Sequence, residues 1–274
     1  MEHLISYFTT IPSSHRALII AGGIAFFWSL ESLYPFVKFN YNKIHHASIN
    51  IFFTLTTIGV NFCMAFLLLG VANWTALNQF GILNVLPNLN PWLYALSGLL
   101  LLDLIGAYAV HWIEHKVAFL WRFHLIHHTD TFVDTTTANR HHPGESVLRF
   151  AFTCLGVLIV GCPMWIVFLY QTLSVVATQF NHANIILPQK IEVFLSYFIV
   201  SPDMHKVHHH YQLPHTDSNY GNIFSIWDRL FGTFKTLDRS KVIFGVDTHM
   251  KPEENNKLMN LVAIPFQKYR SPKS

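Results

Sequence analysis

The chain carries 18 histidines, as many as its lysines and arginines together, and most of them fall between residues 111 and 215. Imidazole is both a neutral metal ligand and a base that titrates near neutral pH. Its arrangement here is therefore the first place to look for chemistry. Three blocks stand out: His111-Trp112-Ile113-Glu114-His115, then His124-Leu125-Ile126-His127-His128, then His205-Lys206-Val207-His208-His209. On a helix, residues three and four apart share a face. Both imidazoles of the HxxxH block can then point at one ion, and the three of each HxxHH block are expected to converge on one face. Neither apolar packing nor lipid can satisfy three such rings. Glu114 is adjacent to His115, but the run is not HExxH, so it lacks the register of a zinc protease.

Eight imidazoles in these blocks exceed the four ligands of a structural zinc or the three of a catalytic one. Two metal ions are the economical reading. Cysteine is absent from the blocks and acidic residues near them are few, which gives a nearly all-nitrogen ligand set and argues against the carboxylate-rich diiron bundles. A pair of redox-active irons in an apolar scaffold points to activation of O2 and attack on an unactivated C–H bond of a lipid. Zinc with hydrolysis competes, because ligand type alone does not exclude it.

The elements that must position these rings are helices in a bilayer. Of 274 residues, 51% are hydrophobic, 15% aromatic and only 12% charged, against about a quarter charged in soluble domains. With a mean hydropathy of +0.33, so few charges cannot cover a globule of this size. A hydrocarbon core needs about 20 apolar residues as helix, and segments 17–37, 49–72 and 92–113 meet this. Segment 147–180 is too long for one span and is broken by Gly161-Cys162-Pro163, so it reads as a helical hairpin, either two spans or one re-entrant element. The short apolar stretch 191–200 suits an interfacial or packed helix. The expected fold is an all-α integral membrane bundle, about four spans or three plus a re-entrant hairpin, forming one domain over residues 1–274. Lys38 and Lys43 follow the first span, the loop 73–91 has no charge, and Lys116, Arg122, Arg140 and Arg149 follow the third. The positive-inside rule then places that loop outside and a histidine-rich cap, with the polar C-terminal segment, on the cytoplasmic side. The membrane is a cell inner membrane or of endoplasmic reticulum type.

The modest net charge of +3, without a basic block, excludes nucleic acid as a partner. Cys63, Cys154 and Cys162 sit in apolar stretches without metal-binding spacing and read as small buried hydrophobes. No cleavable signal peptide is expected at the N-terminus.

The order HxxxH, HxxHH, HxxHH resembles the fatty acid hydroxylase and sterol desaturase superfamily of membrane-bound, histidine-rich diiron oxygenases. Other segments join the likeness: Arg140-His141-His142-Pro143-Gly144-Glu145 resembles its RxHPxE element, and Asn181-His182-Ala183-Asn184 its HxN element. Asn219-Tyr220-Gly221 with Trp227-Asp228-Arg229-Leu230-Phe231-Gly232-Thr233 resembles its closing NYG…WDxLFGT signature. The likeness covers residues 103–234, the expected catalytic region. One departure is Trp112, where many members carry arginine, and it leaves the substrate subgroup open. The resemblance implies two Fe ions (zinc being able to replace them in purified protein), O2 as co-substrate, and electrons from a separate cytochrome b5-like or ferredoxin-like donor. The substrate implied is a lipid taken from the bilayer, fatty acyl, sterol or related, and hydroxylated or desaturated. It adds His182 to the expected ligands His111, His115, His124, His127, His128, His205, His208 and His209, with no catalytic group beyond them. His142 is open between ligand, outer-shell and structural roles.

Asp103, costly in mid-span, and Tyr108 are expected either to orient a metal-bound imidazole or to make an internal polar contact. Arg140 and Glu145 are expected to pair and fix the His-Pro loop. His141, His210 and His215 read as bystanders, and His45 and His46 as solvated at the membrane surface. The NYG and WDxLFGT segments are expected to form a loop and short helix on the His209 side. Phe52, Phe53, Phe62, Phe66 and Phe168 face lipid or shape a lateral channel. Three other classes stay open: a carotenoid hydroxylase or ketolase, a zinc-dependent membrane hydrolase with Glu114 or Glu145 as base, and a metal transporter, which would need more polar spans than these.

Overall fold

The computed structural model describes residues 1–272, among which there are helices and isolated β-bridges but no strand. Helix α1 (Glu2–Thr9) precedes α2 (Ser13–Leu33), α3 (Lys43–Leu77), the single turn α4 (Ile82–Val85) and α5 (Pro91–Asp103). A π-helical segment, Leu104–Ala109, joins α5 to α6 (Val110–Lys116), and α7 (Ala118–His128) follows directly. After a 3-10 turn at Thr135–Asn139 come α8 (Pro143–Val160), α9 (Met164–His182), α10 (Gln189–Ser196) and α11 (Pro202–His208). Three short helices end the fold: α12 (Ile226–Leu230), α13 (Pro252–Asn255) and α14 (Leu258–Ala263).

Four helical stretches among the described residues are long and apolar enough to cross a membrane: Ser13–Leu33, Lys43–Val85, Pro91–Lys116 and Pro143–Val160. The second and third contain the expected spans 49–72 and 92–113, and the first overlaps the expected span 17–37 but ends at Leu33. The region 147–180 is the expected hairpin, α8 running out and α9 running back, so His182 returns to the end of the bundle that carries the other histidines. The break is enforced by sequence. Gly161 closes α8 at φ +66°, where a side chain is strained. A Cβ there would also lie 2.1 Å from the Phe80 carbonyl oxygen. Pro163 then stands as the N-cap of α9.

Other helix starts are equally local. The Asn42 side chain caps α3 by accepting from the His45 amide. The Asn90 side chain accepts from the Trp92 and Leu93 amides, with Pro91 at the first helical position of α5, where its missing N–H costs nothing. Helix α3 packs along α8, α5 on α8 and α9, and α1 and α2 on α9. Leu68, Leu102, Val157, Val160 and Ile166 fill the space between them. Phe62 and Phe66 project from α3 with 82% and 68% of their surface exposed, as a lipid-facing side requires. Phe53 does neither of the expected things: it is buried in a second core with Trp121, Leu125 and Ile126, because α7 packs beneath that part of α3.

Candidate metal centre

Nine histidines, eight from α6, α7, α9 and α11 and His209 capping the end of α11, meet at one end of the bundle in two groups. His111, His115, His124, His128 and His208 form one; His127, His182, His205 and His209 form the other. In each group one ring nitrogen of every member lies within 4.8 Å of one in every other. The groups adjoin, with the rings of His128 and His209 stacked at 4.8 Å. Eight of the nine are fully or nearly fully buried, and the ninth, His115, has a buried side chain.

The two HxxHH blocks do not each serve one ion, as their shared face had implied. His124 and His128 enter one group and His127 the other, whereas His205 and His209 enter the second group and His208 the first. The reason is helical geometry: i and i+4 differ by about 40° around the axis, but i+3 and i+4 by about 100°. Each block therefore straddles both groups, and α7 and α11 contribute reciprocally. The π-helical turn ahead of α6 widens the helix leading to His111, a distortion common at functional sites.

The outward ring nitrogens show what the inward ones can do. Nδ1 of His111 donates to the Tyr220 carbonyl at 2.9 Å, that of His208 to the Ser218 carbonyl at 2.6 Å and that of His182 to the Thr178 carbonyl at 2.8 Å. Nδ1 of His124 donates to Glu145 Oε1 at 2.7 Å and that of His115 to Asp217 Oδ1 at 3.1 Å. With Nδ1 protonated, Nε2 of these neutral rings presents a lone pair. Yet His111 Nε2 and His124 Nε2, both so fixed, stand 3.1 Å apart. In the second group His182 Nε2 lies 3.0, 3.1 and 3.2 Å from the Nε2 atoms of His205, His127 and His209. Facing lone pairs repel unless a cation lies between them, and two ligands at about 2.1 Å from one ion, at right angles, would be about 3.0 Å apart. Nε2 of His115 and of His208 also have no hydrogen-bond partner among the described residues. The residues fit a pair of metal ions with imidazole ligands. Electrostatics agree: burial, reinforced by neighbouring rings, pushes His124, His127, His128, His205, His208 and His209 well below the usual imidazole range, keeping them neutral.

The remaining expected residues support the site from outside. Asp103 does not touch an imidazole; it accepts from the Ile223 and Phe224 amides at 3.3 and 3.1 Å and from Trp227 Nε1 at 3.0 Å. Tyr108 pairs with the Thr233 hydroxyl at 3.0 Å and stacks on Phe231. Asp228 accepts from the Tyr220 and Gly221 amides at 2.8 and 2.9 Å. Together Asp103 and Asp228 clamp the loop whose carbonyl orients His111. That loop lies on the His111, His115 and His208 side, against Tyr220, rather than on the His209 side.

The expected Arg140–Glu145 pair does not form. Arg140 is buried between α3 and α7, donating to Asn50 Oδ1 and to the Ile126 and Asn255 carbonyls, while Glu145 faces His124 and Arg149 Nε. His142 is the α8 N-cap, its Nδ1 accepting from the Gly144 amide at 3.0 Å, and belongs to neither group. His46 is not at the surface: it is buried, bonded at 2.9 Å to Asp130. Burial alone would raise Asp130, but His46 and Arg140 outweigh it and hold the carboxyl well below its usual range. His45 is exposed as expected. His141, read as a bystander, stacks on His127 at 4.8 Å with its Nδ1 2.8 Å from Glu145 Oε1. Asp217 and the Ser218 and Thr178 carbonyls carried no motif, and Tyr220 stood out only as part of the Asn219-Tyr220-Gly221 segment, with nothing to mark its carbonyl. Glu114 and Glu145, the carboxylates a hydrolase would use as base, are tied to Arg149 and lie on the Nδ1 side of His124.

A cavity of about 700 Å³ reaches the centre at His111, His127, His182 and His205 and extends between α2, α3, α8 and α9. Its size is that of a lipid-scale ligand site.

Comparison with known proteins bears on this geometry. The fatty acid hydroxylase family model matches residues 95–233. The ornithine lipid hydroxylase OlsE of Rhizobium tropici is 26% identical over 135 residues, 49% of this chain and 40% of that protein. The alkylglycerol monooxygenase of Homo sapiens is 31% identical over 172 residues, 60% of this chain and 35% of that protein. The cholesterol 25-hydroxylase-like protein 1, member 2 of Danio rerio is 26% identical over 174 residues, 62% and 61% of the two chains. The chain spans at most two fifths (40%) of the length of the first curated relatives it matches. No solved structure matches.

Proposed function

The chain belongs to the fatty acid hydroxylase family, and from that premise we propose that it is a membrane-bound diiron oxygenase that hydroxylates or desaturates a lipid. One observation carries the reading: two adjoining, buried, all-imidazole groups, in one of which the lone pairs of His111 and His124 face each other, opening on a lipid-sized cavity. The iron-binding residues would be His111, His115, His124, His128 and His208 for one ion and His127, His182, His205 and His209 for the other. Two irons held there would supply the activation of O2 and the removal of hydrogen from a C–H bond.

The protein's part is geometric. The Tyr220, Ser218 and Thr178 carbonyls and the Glu145 and Asp217 carboxylates fix ring orientation and keep Nε2 unprotonated, as outer partners of metal-bound imidazoles do. The cavity walls exclude water and align the lipid chain. Electrons would come from a separate cytochrome b5-like or ferredoxin-like donor, and the site would face the cytoplasm.

The test is metal analysis of detergent-purified protein from iron-replete cells, followed by lipid mass spectrometry under ¹⁸O2. About two irons per chain and an O2-dependent lipid product support the proposal; ¹⁸O in an alcohol would identify hydroxylation and an alkene without label desaturation. Zinc alone, unmoved by iron supply and without oxygen-dependent turnover, would overturn it.

A further inference from the structure

The two ends of the cavity differ in chemistry. Away from the histidines it is largely apolar, lined by Phe62, Ala65 and Leu69 of α3 and by Phe168 of α9, with Ser13, Arg16, Asn61 and Gln171 among its polar residues. Beside the histidines its wall is a polar ladder on α9. Thr178 Oγ1 donates to Asn222 Oδ1 at 2.8 Å, Asn222 Nδ2 donates to Ser174 Oγ at 2.7 Å, and Asn181 Nδ2 donates to the Asn222 carbonyl at 3.3 Å. Ser174, Thr178, Asn181 and Asn222 are all among the residues lining the cavity. The ladder leaves one atom over: Asn181 Oδ1 is buried and has no hydrogen-bond partner among the described residues, in a residue only 1% exposed. The amide cannot simply be turned round, because its nitrogen must meet the Asn222 carbonyl. A buried acceptor without a partner is costly, and a ligand that brings an O–H or N–H removes that cost.

Resting on the lipid-oxygenase reading, we propose that the histidine end of the cavity receives a hydrogen-bond-donating lipid head, with Asn181 Oδ1 as its acceptor, so that oxidation falls close to the head rather than far along the chain. The alkyl chain then runs back beside α9 toward Phe168, a distance of about 20 Å at 1.5 Å per residue. The opposite orientation has little to recommend it. Arg16, the cation at the far end, already donates to Ser13 Oγ and lies over the Phe168 ring.

The test is binding, read by native mass spectrometry on the purified full chain and independent of turnover. The probes are 1,2-hexadecanediol, its dimethyl ether, which accepts but cannot donate, hexadecane and hexadecanoate. The diol should bind about tenfold more tightly than its ether, and Asn181→Leu should abolish that difference while hexadecane binding and iron content stay unchanged. Equal binding of diol and ether by the unmodified protein, which needs no variant to fold, would overturn the proposal. So would a preference for hexadecanoate that disappears in Arg16→Gln. A protein that discriminates the diol but never oxidises a lipid would sink the enzymatic reading, and with it the placement of oxidation near the head, while leaving the head-binding role of Asn181 standing; oxidation indifferent to the head would do the reverse.

Discussion

His127 and His128 are neighbours in the chain yet serve different groups, and this division makes metal loss separable. His127→Ala removes one of four rings from its group and none from the other, so it should cost about one iron per chain; His208→Ala should weaken the other ion instead. Metal quantification on both variants checks this, and an equal loss of both ions in each would show that the two sites do not fill independently. The outer partners matter by the same logic. Glu145 Oε1 takes the Nδ1 proton of His124 and is bonded to Arg149 Nε. Glu145→Gln should weaken metal retention against a chelator by about tenfold or more, with little change in helix content by circular dichroism. The structural reason is that the amide still accepts a hydrogen bond but no longer stabilises the polarised ring with a charge.

At the scale of elements, two positions carry more than their local turn. Asp103 sits at the end of α5 and ties three donors of the 223–227 segment, so that a mid-span carboxylate holds the loop orienting His111. Asp103→Leu leaves those donors buried without a partner, and a loss of about 3 kcal/mol is expected, read as a lower thermal midpoint in detergent together with loss of metal. Gly161 carries the hairpin reversal at positive φ under the Phe80 carbonyl. Gly161→Ala should destabilise the fold by about 1–3 kcal/mol although the residue is far in sequence from every histidine. A variant as stable as the parent would mean that the α8–α9 reversal can be rebuilt without the left-handed residue.

For the whole molecule, the bundle and its histidine end imply a fixed orientation in the bilayer. The proposal that the metal end lies inside rests on the uncharged loop 73–91 and the basic residues after the third span, read by the positive-inside rule. With Cys63, Cys154 and Cys162 replaced, a single cysteine at Gln79 should react with an impermeant maleimide on intact cells, and one at Lys241 only after permeabilisation. The opposite labelling would invert the topology and move any electron donor to the other side of the membrane.

Spacing and composition were enough to find the spans, the Gly161-Cys162-Pro163 break and the histidine blocks, because bilayer thickness, helix periodicity and the backbone limits of glycine and proline are local constraints written into consecutive residues. The return of His182 to the other histidines followed from the same hairpin. What local reading could not decide was the partition of the rings between two groups, since that depends on how α7 and α11 face each other across the bundle. Nor could it pair Asp103 with the 223–227 segment, separate Arg140 from Glu145, or bury His46 against Asp130. The orienting carbonyls of Tyr220, Ser218 and Thr178 leave no mark in side-chain chemistry at all. Those contacts join atoms far apart in the chain, and only the packing of helices on one another brings them within hydrogen-bond distance.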